Sequence, residues 1–242
     1  MFTALQTAVI CLTLFLSSVV QSSIGIGFAM MASAVFSFLL SPTASSALIG
    51  YAAVVLGTAI SFQMRKYINV RVSLPLMLGM VVARILGIMT LMHMNEKTAD
   101  MILGLILIAF SIYFWRFSGR VRIRATPQKG FVLGLLAGYL GGIFGLTGPF
   151  AAVYFYSSIK DIREYAACMN FSFVPSAIVG LSMHIYYGNI TAADVPIYLL
   201  SSVAVLAGIP LGLKYLNRLN HEQLARAIYL FMAVMGLVIL IA

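Results

Sequence analysis

Charge is what this sequence has least of. Only 9% of its 242 residues are charged and 62% are hydrophobic, whereas an average soluble domain is about 25% charged. A soluble core of this length could not hide so much apolar surface, and a bilayer removes the need to hide it. Acids are scarcer than bases. All six (Glu96, Asp100, Asp161, Glu164, Asp194 and Glu222) map to loops or to the ends of apolar runs. The two cysteines, Cys11 and Cys168, lie inside apolar stretches, which excludes a disulfide framework and a zinc site. No glycine-rich loop followed by Lys-Ser/Thr is present, so no nucleotide-driven pump is indicated. No His-Glu-x-x-His or Cys/His cluster offers a metal site, and neither cofactor nor metal is expected. Met1 to Gln21 lacks a basic leader and an Ala-x-Ala cleavage site, so it is expected to remain in the mature protein. A net charge of +9 would suit nucleic acid, but the basic residues sit in short loops between apolar segments. There they report topology, and no nucleic-acid partner is expected.

Apolar runs of bilayer-spanning length, about 20 residues, occur at 44–63, 72–92, 99–116, 164–187, 195–216 and 223–242. Two further stretches are interrupted. Residues 3–40 contain Gln21-Ser22-Ser23-Ile24-Gly25-Ile26-Gly27, and residues 130–159 contain Gly141-Gly142-Ile143-Phe144-Gly145-Leu146-Thr147-Gly148-Pro149. Glycine and polar residues loosen a mid-membrane helix, and proline cannot continue one. Each stretch therefore reads as two helical arms meeting at a break. The halves echo each other: Arg84-Ile-Leu-Gly87 through Asn95 has the cadence of Ile209-Pro-Leu-Gly212 through Asn220, 125 positions on. The expected fold is all-α and membrane-integral, a single domain over 1–242 built from two repeats, about 1–124 and 125–242. Each repeat holds a broken element and then three spans.

Loop charge orients this arrangement. If the broken elements are re-entrant hairpins, loops 65–71, 116–129, 160–163 and 214–218 share the cytoplasmic side with twelve Lys/Arg, against Lys97 alone. If they cross the membrane, the count is eight against five. The hairpin arrangement is preferred. It makes the halves inverted repeats, with binding expected at the midplane breaks. Arm 3–20 is long for a hairpin, so the first element is expected to reach deeper than the second.

A broken helix leaves unsatisfied N–H groups at the start of its second arm, and these attract anions together with the helix dipole. In the first half they fall at Gly25 to Phe28, flanked by Ser22 and Ser23, where Gly25 and Gly27 permit close approach. In the second they fall near Thr147 and Gly148 to Phe150. Gly134 and Gly138 have the spacing of a helix-packing face, so Gly134→Ala is expected to matter little for transport. Arg84 lies near the centre of its span, where a charge costs roughly 2.5–3.5 kcal/mol even on the lenient insertion scale. No acid shares its depth, which leaves a substrate anion or carbonyls freed at a break as its expected partner. Asn170 is costly to bury unpaired and is deep enough to reach a central site. The serines of its span are expected to bond their own i−4 carbonyls, and His184 is expected at the outer interface. Ser22, Ser23 and His184 form only a poor candidate for an intramembrane hydrolase.

Gly25-Ile26-Gly27-Phe28, Ser41-Pro42-Thr43-Ala44, Arg71 and the stretch through Arg84-x-x-Gly87 resemble the first half of TauE/SafE-type sulfite and organosulfonate exporters. Gly138 to Gly148, Lys160 to Ala167 and Gly188-Asn189-Ile190 resemble the second half. The resemblance covers essentially the whole chain and implies a permease for small sulfur-containing anions, with both breaks lining the path. The chain departs from the pattern at Thr147 and Pro149, where glycines are common, and at Ala166-Ala167-Cys168-Met169-Asn170, where small and hydroxyl residues are usual. The expectation is a secondary carrier or facilitator of the cell inner membrane that exports sulfite or an organosulfonate. Its expected substrate contacts are Arg84, Ser22, Ser23, Gly25, Gly27, Thr147, Gly148 and Asn170, and its expected partners are a small anion and the lipid bilayer. The oligomeric state stays open, a homo-oligomer included. The rivals are a carrier coupled to a cation held by break carbonyls and, from another class, an intramembrane enzyme. With no mid-membrane carboxylate, the membrane potential alone, worth about 2.3 kcal/mol per charge per 100 mV, is expected to drive export.

The charge count generates a topological prediction. In a background lacking Cys11 and Cys168, Ser118→Cys and Ser158→Cys should both resist an impermeant thiol reagent added outside intact cells, while Asn189→Cys reacts. Labelling at position 158 but not at 118 would mean that 130–159 crosses the membrane.

Overall fold

The computed structural model describes residues 3–117, 126–216 and 221–241, without the side chains of Phe117 and 221–225. Ser118, Arg120, Arg122, Arg124, Arg218 and Asn220 lie outside the described residues, as does the side chain of Glu222. The described residues form ten α-helices, joined in places by short 3-10 turns, and no strand. In the first half these are α1 (Ala4–Ile24), α2 (Phe28–Phe36), α3 (Pro42–Gln63), α4 (Val70–His93) and α5 (Glu96–Phe117). In the second half they are α6 (Pro127–Phe144), α7 (Gly148–Ser158), α8 (Ile162–Tyr186), α9 (Val195–Tyr215) and α10 (His221–Ile241). Six stretches within α1, α3, α4, α5, α8 and α9 are long and apolar enough to cross a membrane. Five of the expected spans are among them, and the sixth falls on α10, whose described stretch Arg226–Ile241 is apolar. The chain is an all-α, multi-pass integral membrane protein.

Side-chain caps set the helix starts. Thr3 opens α1 with a capping box, Ser41 accepts from the Ala44 N–H at the head of α3, and Asn69 and Thr126 do the same for α4 and α6. Pro42 and Pro127 stand at first helical positions, where the missing N–H costs nothing.

Both breaks are narrower than the sequence suggests. Helix α1 runs on through Gln21 to Ile24 and stops at Gly25 (φ 81°), while α6 runs through Gly141 and Gly142 to Phe144 and stops at Gly145 (φ 78°). A left-handed residue ends each helix, and glycine adopts that conformation without a Cβ penalty. Only 25–27 and 145–147 are non-helical. Gly141 and Gly142 serve packing instead: a Cβ at Gly142 would sit 2.6 Å from the Arg84 carbonyl oxygen.

Glycine also fixes how the helices meet. Gly134 abuts the Leu76 backbone, Gly138 abuts Met80, and in return Gly79 abuts Phe131 and Gly87 abuts Tyr139. Helices α4 and α6 therefore run parallel with their backbones touching. The same relation joins α1 to α9, where Gly208 meets Phe15 and Ser18 and Gly212 meets Val19 and Ser22. Helices α5 and α10 pack antiparallel, Gly104 against Gly236 and the Ser111 hydroxyl donating to the Tyr229 carbonyl at 2.6 Å. Helix α7 folds back along α6, which brings the Tyr154 ring to 2.8 Å from where a Gly130 Cβ would be.

The ends of the bundle follow from these contacts. Asn69 donates to Glu164 at 3.0 Å and Arg163 to the Tyr67 hydroxyl at 3.2 Å, so segment 65–71 and the head of α8 share one end. At the opposite end Asn189 meets Met92, and Gln6 and Thr7 share a cleft with Asp194.

The tight α4–α6 contact overturns the expected tolerance of Gly134→Ala. An added Cβ would fall onto the Leu76 carbonyl, and overpacking of this kind costs about 1–3 kcal/mol. Gly134→Ala should lower the melting temperature in detergent and take transport down with it. An unchanged melting temperature would mean that the two backbones do not touch.

Candidate functional site

The two breaks meet. A Cβ on Gly148 would lie 3.8 Å from the side chains of Ile26 and Met30, one break facing the other. Between them is a cavity of about 40 Å³, room for a few water-sized groups at 10–15 Å³ each. Gln21 and the Gly27–Met30 turn form one wall, and the Gly145–Gly148 turn forms another. Helix α3 contributes Ile49 and Gly50, α8 contributes Asn170 and Phe173, and α4 contributes Arg84. Five of the expected contacts, Gly27, Arg84, Thr147, Gly148 and Asn170, thus line one cavity.

Three do not. Ser23 donates to the carbonyls of Val19 at 2.7 Å and Gly212 at 3.2 Å, joining α1 to α9. Ser22 packs on Gly212 with its hydroxyl unpartnered. Gly25 faces the Tyr165 ring, which a Cβ would approach to 2.8 Å. Its need for glycine comes from that ring and from its own left-handed backbone.

Arg84 is only 3% exposed. Its guanidinium occupies room left by three glycines on three helices: a Cβ at Gly50 would lie 3.3 Å from Nη2, one at Gly141 2.9 Å from Nη1, and one at Gly180 2.9 Å from Nη2. Its Nε has no hydrogen-bond partner, and no carboxylate pairs with it among the described residues. A buried cation is normally paired, because removing one partner of such a pair costs several kcal/mol. Arg84 instead borders the cavity between the two breaks.

The breaks differ in how their polar groups are satisfied. At the first, Gln21 acts as a staple. Its Nε2 donates to the Gly25 carbonyl at 2.8 Å and to Asn170 Oδ1 at 3.3 Å, and its Oε1 accepts the Phe28 N–H at 3.2 Å. Asn170 in turn donates to the Ala166 carbonyl at 2.8 Å. One expected anion donor, the Phe28 amide, is therefore already engaged. At the second break Thr147 makes no side-chain cap, and Pro149 has no N–H to offer. The N–H groups of Gly148 and Phe150 carry no hydrogen bond among the described residues. They stand at the positive end of α7, beside Arg84. In the sequence Gln21 reads only as a polar residue that loosens a helix. The signal that could have singled it out is the same one used for Asn170: a carboxamide inside an apolar run needs partners.

His184 is fully buried rather than interfacial. Its Nε2 lies 3.3 Å from Ser46 Oγ and its Nδ1 lies 3.1 Å from Asn189 Nδ2. Because Ser46 donates to the Gly142 carbonyl at 3.1 Å, the network assigns the ring proton to Nε2.

Residues 10–239 match the family profile described as sulfite exporter TauE/SafE. The chain belongs to this family. A probable membrane transporter protein of Methanocaldococcus jannaschii is 23% identical over 187 residues, covering 73% of this chain and 70% of the relative. No solved structure matches. In this TauE/SafE protein the unpaired arginine and the open break sit on the same cavity, inside the matched region.

The staple can be tested by stability. Gln21→Ala leaves the Phe28 N–H and the Gly25 carbonyl buried without partners, at about 1–3 kcal/mol for each unsatisfied group. It should lower the melting temperature well below that of Ser22→Ala, whose hydroxyl bonds nothing. Equal melting of the two variants would remove Gln21 from this role.

Proposed function

We propose that this TauE/SafE protein is a secondary carrier or facilitator that exports a small anion, sulfite or a compact organosulfonate, across the cell inner membrane. The observation that carries the reading is the buried Arg84 guanidinium, without a carboxylate, bordering a cavity shared with the unengaged N–H groups of the second break. A tetrahedral or pyramidal oxyanion could accept from the guanidinium on one side and from Gly148 and Phe150 on the other, which is the donor set of a helix N-terminal anion site. The 40 Å³ volume supports a compact headgroup. We read the two halves as inverted repeats. In support, the element order recurs, α1 packs on α9 as α6 packs on α4, and the α6–α7 hairpin returns to the end it started from. The charge count puts segments 65–71 and 160–163 in the cytoplasm, and the contacts at Asn69–Glu164 and Arg163–Tyr67 agree with a shared side.

The rival from another class is an intramembrane hydrolase, now centred on Ser46, His184 and Asn189. The hydrogen bonds disfavour it. Asn189 Nδ2 donates to Met92 Sδ at 3.3 Å and faces His184 Nδ1, which leaves the ring proton pointing at Ser46 rather than a lone pair ready to take its proton. We read the protein as a transporter and not an enzyme.

Arg84→Gln should abolish sulfite binding to the purified protein, measured by titration calorimetry, while expression and monodispersity hold. Gly148→Val should do the same by filling the cavity, since its neighbours leave room for a Cβ at ordinary contact distance. Wild-type sulfite affinity in Arg84→Gln would end the assignment.

A further inference from the structure

A second enclosed space lies one helical turn beyond the central cavity, toward the end of the bundle that holds Asn95 and Asn189. It is a small chamber bordered by Ser33 and Ser37 of α2, Ser45 and Ser46 of α3, Ile143 and Phe144 at the end of α6, and Asp100 of α5. At about 10 Å³ it admits one water-sized occupant.

The chemistry of its wall is acceptor-rich. The Ser33 hydroxyl donates to the Met30 carbonyl, Ser37 to Ala34 at 3.0 Å, and Ser46 to Gly142 at 3.1 Å. Their protons are therefore spent; the lone pairs of Ser33 and Ser37 remain, while Ser46 also accepts from His184 Nε2. Ser45 is more than nine-tenths buried, borders the chamber, and its hydroxyl makes no hydrogen bond among the described residues. The half-buried Asp100 likewise has no hydrogen bond or ion pair among them. Helix α6 ends here with its negative pole. Its Gly141 and Gly142 carbonyls are taken by the Gly145 N–H and by Ser46, and those of Ile143 and Phe144 receive no hydrogen bond among the described residues. At the facing N-terminus of α3, Pro42 has no N–H and Ser41 caps the Ala44 N–H, which leaves the Thr43 N–H as the one free donor of that turn among the described residues.

A carboxylate, hydroxyl lone pairs and a helix C-terminus repel an anion and suit a hard cation. Discontinuous helices elsewhere use their C-terminal ends in this way. One carboxylate is too little charge for the oxygen cages that hold calcium, and a single small opening leaves no space for magnesium's retained waters. Asp100 also borders an outer cleft with Ser37, Glu96 and Lys97, which supplies an entry path. We propose that this chamber binds one sodium ion, held by Asp100 and the oxygens of Ser33, Ser45 and the α6 C-terminus. Sodium there ties the tip of the α6–α7 hairpin to α2, α3 and α5, and links the external cation to the break beside Arg84. The proposal departs from the expectation of uncoupled export, and it stands independently of the anion reading.

The test is thermal unfolding of purified protein in NaCl against choline chloride at equal ionic strength and fixed pH, with potassium and lithium as further arms. Sodium should raise the melting temperature saturably. Asp100→Asn should abolish the sodium-specific rise while melting normally in choline, and Ser45→Ala should shift the rise to higher sodium concentration. Arg84→Gln should retain the sodium effect even with sulfite binding lost, so failure of one reading is separable from failure of the other. Identical melting of the wild type in sodium and choline would overturn the proposal. So would an undiminished sodium effect in both Asp100→Asn and Ser45→Ala.

Discussion

A guanidinium held at mid-span without an acid constrains everything packed around it. Arg84 demands volume, and Gly50, Gly141 and Gly180 yield it from three different helices. It also demands that water or a ligand reach its nitrogens, because a bilayer protein cannot leave a cation wholly unsolvated. The cavity between the two breaks meets that demand. The backbone contact between α4 and α6 brings the arginine level with the tip of the second hairpin, so the charge and the free N–H groups share one space.

The two breaks satisfy their polar groups in different ways. At the first break the cavity side is filled by protein: the Gln21 carboxamide bridges Gly25 and Phe28 and reaches Asn170. At the second, a glycine, Gly141, stands 120 positions after Gln21, and the Arg84 guanidinium lies where a side chain there would project. One break is closed by its own chain and the other is left open. The cavity is thus chemically one-sided, with free donors and a fixed charge gathered at the second break.

Much of this architecture was legible beforehand because the bilayer imposes a length. The spans at α3, α4, α5, α8 and α9 could be read from apolar run length alone, and the family could be read from the order of the glycine motifs. The limits of the breaks could not. Gly145 ends a helix by adopting a positive φ, whereas Gly141 and Gly142 stay helical and let another backbone approach, and a one-letter code makes no distinction. Arg84 and Asn170 stood out as expensive groups in apolar runs. Gln21 carries the same signal, but the serines beside it mask it as one polar stretch. Ser22 and Ser23 adjoin a break in the sequence, while their helical phase turns them toward α9. His184 looked interfacial because its distance from the span's end was visible and its partner Ser46, 138 residues earlier, was not.

The joint between α4 and α6 has a mechanical consequence. Most helix pairs interlock through side chains that can change rotamer, so one helix can creep past its neighbour. Here carbonyl meets glycine at Leu76–Gly134, Met80–Gly138 and Tyr139–Gly87. A slip of one residue, about 1.5 Å of rise, would drive the Cβ of Leu135 or Tyr139 into the opposing backbone. The pair behaves as a single strut. The arginine and the mouth of the second hairpin are thereby held at one spacing.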